Sequence, residues 1–163
     1  LDRMETGQAI PLNREPVDLA ALLKKAAHRY RQLFSERPIE IRQTVNLPVI
    51  CFCDPLRVSQ VLGNLISNAI KYSPADRPIR LLITKEEDGA RIEVEDEGRG
   101  MSDDEQARAF DPFYRADDSN TAPRGTGLGL CIVKNIVQAH GGRVWIDSAP
   151  GRGSRVGFFL PTE

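Results

Sequence analysis

The stretch Asp54–Tyr72, DPLRVSQVLGNLISNAIKY, constrains this chain more than any other. Asp54 suits an N-cap and Pro55 the first helical position. Val58, Val61, Leu62, Leu65, Ile66, Ala69 and Ile70 then recur at i, i+3, i+4 and i+7, which predicts an amphipathic helix with one buried face. The other face is unusual. Gln60, Asn64, Asn68 and Lys71 follow one another down one side, where a solvated helix would carry Glu and Lys. Carboxamide oxygens one turn apart suit a hard cation, and a lysine beside them suits a phosphate. From this helix alone, a plain polar surface serves equally well.

A chain of 163 residues is long enough for one domain with a real core. Its net charge of −1 argues against nucleic acid or a membrane surface as partner, since either calls for a basic excess. No apolar run approaches the ~20 residues of a membrane span. Cys51 and Cys53 alternate on an expected strand, and Cys131 lies in a helical pattern. Three thiolates are one short of a closed zinc site, so buried, reduced cysteines are expected. His28 and His140 have no Ser or Cys nucleophile in a recognisable setting and are expected to be structural.

Residues 1–15 read as the end of one element and a linker, and 16–163 as the domain. A second amphipathic helix is predicted from Asp18 to about Glu36, with Leu19, Leu22, Leu23, Ala26, Ala27, Tyr30 and Leu33 on one face. Ile39–Val45 and Val49–Cys53 read as strands, and Ser73-Pro74 must end the central helix near Tyr72. Ile79, Leu81 and Ile83 form one inward row and Ala90, Ile92 and Val94 another, joined by a hairpin at Glu87-Asp88-Gly89.

The second row continues to Asp96, which the period of two places inward. A carboxylate at the core edge needs hydrogen-bond partners or a raised pKa. Gly98 and Gly100 let the backbone approach a flat ligand, with Met101 alongside, so that Asp96 could accept from an exocyclic amine. The alternative is an ordinary turn with a capping Asp. Ser102 to Ala109 reads as a short helix, N-capped by Ser102 with Glu105 three residues on in a capping-box pattern. Phe110-Asp111-Pro112-Phe113-Tyr114-Arg115 is an aromatic cluster, and Ala116–Arg124 is polar and aperiodic, a lid candidate. Arg124-Gly125-Thr126-Gly127-Leu128-Gly129-Leu130 leads into a third helix with Leu128, Cys131, Ile132, Ile136 and Ala139 as apolar positions, stopped by Gly141-Gly142. Glycines at a helix N-terminus offer unpaired N–H groups to phosphate, although a ligand-free hinge would look the same. Two strands close the chain, with Val144, Ile146 and Ser148 on one face of the first and Ser154, Val156, Phe158 and Leu160 on one face of the second. Ser154 either helps Asp96 hold a base or a water, or is a plain buried hydroxyl.

The order of these motifs is more specific than any one of them. An Asn-x-x-x-Asn helix, Asp-x-Gly-x-Gly after a strand, a Phe-x-Pro-Phe-like aromatic box and Gly-x-Gly-x-Gly opening a helix together resemble the catalytic ATP-binding domain of sensor histidine kinases. These belong to the superfamily shared with DNA gyrase, MutL and the heat-shock chaperone ATPases. The resemblance runs from about Pro16 to Pro161. It implies the Bergerat fold, an α/β two-layer sandwich with a mixed, mainly antiparallel sheet packed against three α-helices.

It also implies roles. Asn64 and Asn68 would ligate Mg2+, Lys71 would meet phosphate and Tyr72 would flank the adenine. Asp96 would receive the adenine amine, with Gly98, Gly100 and Met101 beside it. Phe110, Phe113 and Tyr114 form the aromatic box. Gly125, Thr126, Gly127, Leu128, Gly129 and Leu130 would close over the phosphates, with Arg115 and Arg124 nearby. The hydrolysing members carry a glutamate where Asn64 stands, and an amide cannot act as a general base, which favours phosphoryl transfer to a partner over hydrolysis. No histidine here is followed by an acidic residue, so the phosphoacceptor is expected on an upstream dimerising helical hairpin, whose tail Leu1–Gln8 resembles. The implied partners are ATP, that hairpin and a downstream response regulator. The domain itself is expected to be a monomer in the cytoplasm, whether or not the whole protein is membrane-anchored. A nucleotide-gated docking module without kinase activity is the alternative.

Overall fold

A computed structural model of the chain describes residues 10–44, 48–112, 114 and 129–163. In chain order the elements are β1 (Glu15–Asp18), α1 (Leu19–Leu33), β2 (Ile39–Gln43), β3 (Ile50–Cys53), α2 (Pro55–Tyr72), β4 (Ile79–Lys85), β5 (Gly89–Asp96), α3 (Asp103–Arg108), α4 (Gly129–Ala139), β6 (Arg143–Ser148) and β7 (Ser154–Pro161). Five strands form one sheet in the order β2-β4-β5-β7-β6, in which only β2 and β4 run parallel. β1 and β3 form a separate antiparallel pair. This is the expected mixed, mainly antiparallel sheet. The described helices number four: α1, α2 and α4 pack on the sheet, and α3 is the short helix expected at Ser102, with its capping box in place.

The sheet has one apolar and one charged face. Ile79, Leu81, Ile83, Ile92, Val94, Phe158 and Leu160 are buried under α1, α2 and α4. On the other face a single row crosses all five strands with alternating sign: Glu40, Arg80, Glu95, Arg155 and Asp147 stand in register. Arg80 meets Glu95 at 3.0 Å, and Arg155 Nε donates to Glu95 at 3.0 Å. Directly opposed unlike charges favour this register, and a slip by one residue would set apolar side chains in water. Because Glu95 is fixed on the charged face, the next residue, Asp96, must point to the core side.

Three differences from the sequence reading have local causes. β1 was not expected: Pro16 lies on a short strand with few neighbours, where its missing N–H is tolerated. α1 starts one residue late, because Asp18 is its N-cap, accepting from Ala20 N at 3.1 Å. It ends at Leu33, which is 61% exposed, with Phe34 as its C-cap donating its N–H to Tyr30 O, while the Tyr30 hydroxyl donates to Gly63 O on α2 at 3.3 Å. On α4 the buried stripe is Cys131, Val133, Ile136 and Val137, while Ile132 and Ala139 are only half-buried. That stripe continues into His140, which is buried and takes Asp54 N as donor to its Nε2 at 3.1 Å while its Nδ1 lies 2.8 Å from Ile136 O. Burial holds this imidazole below the usual histidine range, and a neutral ring suits both bonds. Its role is structural, as expected.

Candidate functional site

The polar face of α2 and the end of β5 meet at Tyr72. Asp54 caps the start of α2, accepting from Leu56 N at 3.1 Å and Arg57 N at 3.3 Å. From there the helix presents Asn64 and Asn68 half-buried and Lys71 exposed. At its far end the backbone of Gly98 lies flat against the last helical carbonyl: a Cβ at Gly98 would stand 2.2 Å from Tyr72 O. Only glycine permits this approach. Asp96 is therefore brought to the same end of α2 that carries Asn68, one turn from Tyr72.

Asp96 is 8% exposed. Burial pushes its carboxyl up to about 6, opposed by backbone N–H groups of Gly98 and Ser154 and by the charge of Arg37. Gly98 N donates to Asp96 Oδ1 at 2.8 Å. Both outcomes expected of an inward carboxylate, partners and a raised pKa, are present. The loop beyond it is tied to the last two strands. Gly100 has φ +73° and packs on Ala149, where a Cβ would stand 1.9 Å from the carbonyl oxygen. Met101 N donates to Ser148 Oγ at 2.8 Å, and Ser148 Oγ in turn donates to Gly153 O at 2.8 Å. Ser154 is buried opposite Asp96, with its hydroxyl 2.9 Å from that of Ser148.

The start of α4 closes the other end. Asn64 Nδ2 donates to Gly129 O at 3.2 Å, and a Cβ at Gly129 would lie 4.0 Å from Asn68 Oδ1. Gly129 thus flanks the two carboxamides, the donated bond leaves Asn64 Oδ1 as an acceptor, and Leu130 packs against the hydrophobic core. Tyr114 is half-buried, with Arg108 5.9 Å over its ring. Phe113, Arg115, Arg124, Gly125, Thr126, Gly127 and Leu128 lie outside the described residues, as do the lid candidate at 116–124 and the tail at 1–8.

Two residues of this neighbourhood were not singled out in the sequence. Ser148 joins Met101, Gly153 and Ser154, but a serine ending a strand carries no signal of that. Arg37 is buried beneath the end of α2, donating to Ile70 O and to Ser73 O, both at 3.1 Å. A lone arginine before a proline reads as loop.

Residues 53–163 match the family of histidine kinase-, DNA gyrase B- and HSP90-like ATPases. The chain belongs to this family. Within it, the chain is 39% identical over 153 residues to the sensor histidine kinase WalK of Bacillus subtilis, covering 91% of this chain and 25% of that protein. It is 32% identical over 156 residues to the signal transduction histidine-protein kinase BaeS of Escherichia coli, covering 95% and 33%. It therefore spans a third or less of these relatives. The solved mycobacterial sensor histidine kinase MprB superposes with a TM-score of 0.79 at 28% identity, covering 91% of this chain and 97% of that one. Full-length ShkA, solved in complex with AMPPNP, does so with a TM-score of 0.82 at 32% identity, covering 98% and 33%. The chain matches the catalytic, ATPase-family domain of these sensor histidine kinases. Among its described residues no helix is long and apolar enough to cross a membrane.

Proposed function

We propose that this histidine kinase domain binds magnesium-ATP at the junction of α2, β5 and α4, and presents the γ-phosphate to a histidine on an upstream helical hairpin of the same protein. A response regulator then receives the phosphoryl group. The observation that carries the reading is the seat of Gly98 on Tyr72, because it sets a buried, acceptor-bearing Asp96 at the end of the helix that bears Asn64 and Asn68.

Asp96 accepts from the adenine amine, with Gly98, Gly100, Met101 and Tyr72 bounding the ring and Ser154 backing the carboxylate. The Asn64 and Asn68 amide oxygens are hard donors suited to magnesium, and the bond from Asn64 Nδ2 to Gly129 O leaves the oxygen to that task. Bound there, magnesium would supply charge neutralisation to the phosphate oxygens. Lys71, exposed one turn beyond, meets phosphate as a point charge. By the family resemblance, phosphate contacts are assigned to Arg115, Arg124 and Gly125–Leu130, and the aromatic box to Phe110, Phe113 and Tyr114. Catalysis is then positioning and electrostatics. Asn64 is an amide and cannot take a proton from water, so the acceptor is a nucleophile supplied by a partner.

Calorimetric titration of the chain with magnesium-ATP tests the site. Binding that Asp96→Asn abolishes supports it, and no heat at millimolar ligand rejects it. Phosphoryl transfer from ATP to a separately supplied hairpin bearing the histidine tests the kinase role, and ATP binding without transfer points to a docking module.

A further inference from the structure

A helix that stops at a Ser-Pro pair has a defect. Ile70 O would ordinarily accept from the N–H of residue 74, but residue 74 is proline and has none. Ala69 O is served by the hydroxyl of Ser73 at 2.6 Å. Ile70 O is served from outside the helix, by Arg37 Nη2 at 3.1 Å. The same guanidinium gathers the turn beyond: Nη1 donates to Pro74 O at 2.6 Å, to Ser73 Oγ at 2.8 Å and to Arg77 O at 3.1 Å, and Nη2 also donates to Ser73 O at 3.1 Å. Arg37 is 8% exposed, and its backbone is pinned by its own N–H to Phe34 O at 2.9 Å. A buried cation at a helix C-terminus also meets the negative end of the dipole.

The carbonyl of Tyr72, against which Gly98 packs, lies between Ile70 and Ser73, both held by Arg37. We propose that Arg37 is a positioning residue of the nucleotide site: it fixes the end of α2, and through the Tyr72–Gly98 contact it fixes the loop that orients Asp96. This rests on the reading of Asp96 as the adenine acceptor. A second link is electrostatic. The charged groups acting on Asp96 are Arg37, which favours its ionised form, and Glu95 on β5, which opposes it; Gly98 and Ser154 on β7 add backbone N–H groups.

The test is magnesium-ATP affinity of the whole chain as a function of pH, for wild type, Arg37→Met and Arg37→Lys, with amide exchange at Gly98 in the ligand-free protein. Arg37→Met should weaken binding about tenfold or more at neutral pH. It should also move the acid limb of the affinity profile to higher pH, because Asp96 loses its favourable cation. Arg37→Lys keeps the charge but cannot span the carbonyls of Ile70 and Arg77 together. It should keep the wild-type acid limb, bind more weakly and exchange faster at Gly98. A folded Arg37→Met with wild-type affinity overturns the proposal, and so does a loss of affinity with an unmoved acid limb. If Arg37→Met does not fold, an Arg37→Lys protein that matches wild type in affinity and exchange overturns it. If wild type itself binds no ATP, the reading of the site falls and the positioning role with it; wild-type binding with indifferent variants removes the positioning role alone.

Discussion

The side-chain amide of Asn64 donates to the carbonyl oxygen of Gly129 at 3.2 Å, joining the middle of α2 to the first residue of α4. The pairing needs an N–H on residue 64. Asn64→Asp keeps the size and the oxygen but replaces the donor with a second acceptor facing a carbonyl. We expect a loss of about 1–2 kcal/mol in urea unfolding, from a broken bond and a repulsive pair. Asn64→Ala should lose the bond without the repulsion and cost less, while magnesium-dependent ATP binding weakens in both.

Burial of Asp96 costs the fold stability at neutral pH. Its carboxyl is raised from 3.8 to about 6 in the folded chain by burial. A raised acid favours the folded state fully below its unfolded value, and that contribution is lost as pH rises through about 6. At neutral pH the ionised carboxylate therefore costs up to ~3 kcal/mol. Asp96→Asn keeps an oxygen for Gly98 N and removes the charge. It should be at least as stable as wild type at neutral pH, and the difference should shrink as pH falls below 6. His140, whose lowered value destabilises the fold on acidification, is common to both proteins and cancels. Urea midpoints across this range measure the effect; a marked destabilisation of Asp96→Asn at neutral pH would contradict it.

Gly98→Ala should fail in a different way. The new methyl would stand 2.2 Å from Tyr72 O and 2.9 Å from Asp96 Oδ1. The loop must lift from the helix, at a cost of about 1–3 kcal/mol. Nucleotide binding should be lost even at temperatures where the protein remains folded by circular dichroism. Gly151→Ala provides a contrast: its Cβ would meet nothing within 4 Å, so only the strain of φ +79° remains. Binding should survive there.

The cysteines should be chemically quiet. Burial pushes Cys51 up and Cys53 to about 12, the latter helped by Cys51, Asp54 and Glu15. Thiolate is then scarce at neutral pH. Alkylation monitored by mass spectrometry should label neither thiol in the native protein and both in urea. Fast native labelling of Cys53 would show that β3 opens.

The helices and inward rows were legible because apolar spacing is a local property. Val58 to Ala69 and Ile79 to Val94 announce their buried faces in the sequence, and Asp96 stood out by falling in line with Ile92 and Val94. What was not legible depends on contact between distant segments. β1 has no pattern of its own and exists only because β3 pairs with it. Val133 and Val137 take the buried places in α4 instead of Ile132 and Ala139 because the stripe is set by how α4 packs on α2 and the sheet. Arg37 and Ser148 serve backbone groups, and a backbone carbonyl left unpaired by Pro74 leaves no mark on the residue that will satisfy it.

Asp96 stands opposite Ser154 in the ladder between β5 and β7. A nascent polypeptide still lacking β6 and β7 has every residue of α2 and β5 yet no partner strand beside Asp96, and its Gly98–Gly100 loop lacks Ala149 and Ser148 to rest on. At the proposed site, nucleotide capture should therefore wait until β7 has been made. A ribosome-stalled or C-terminally truncated chain should fold its helices and remain blind to ATP.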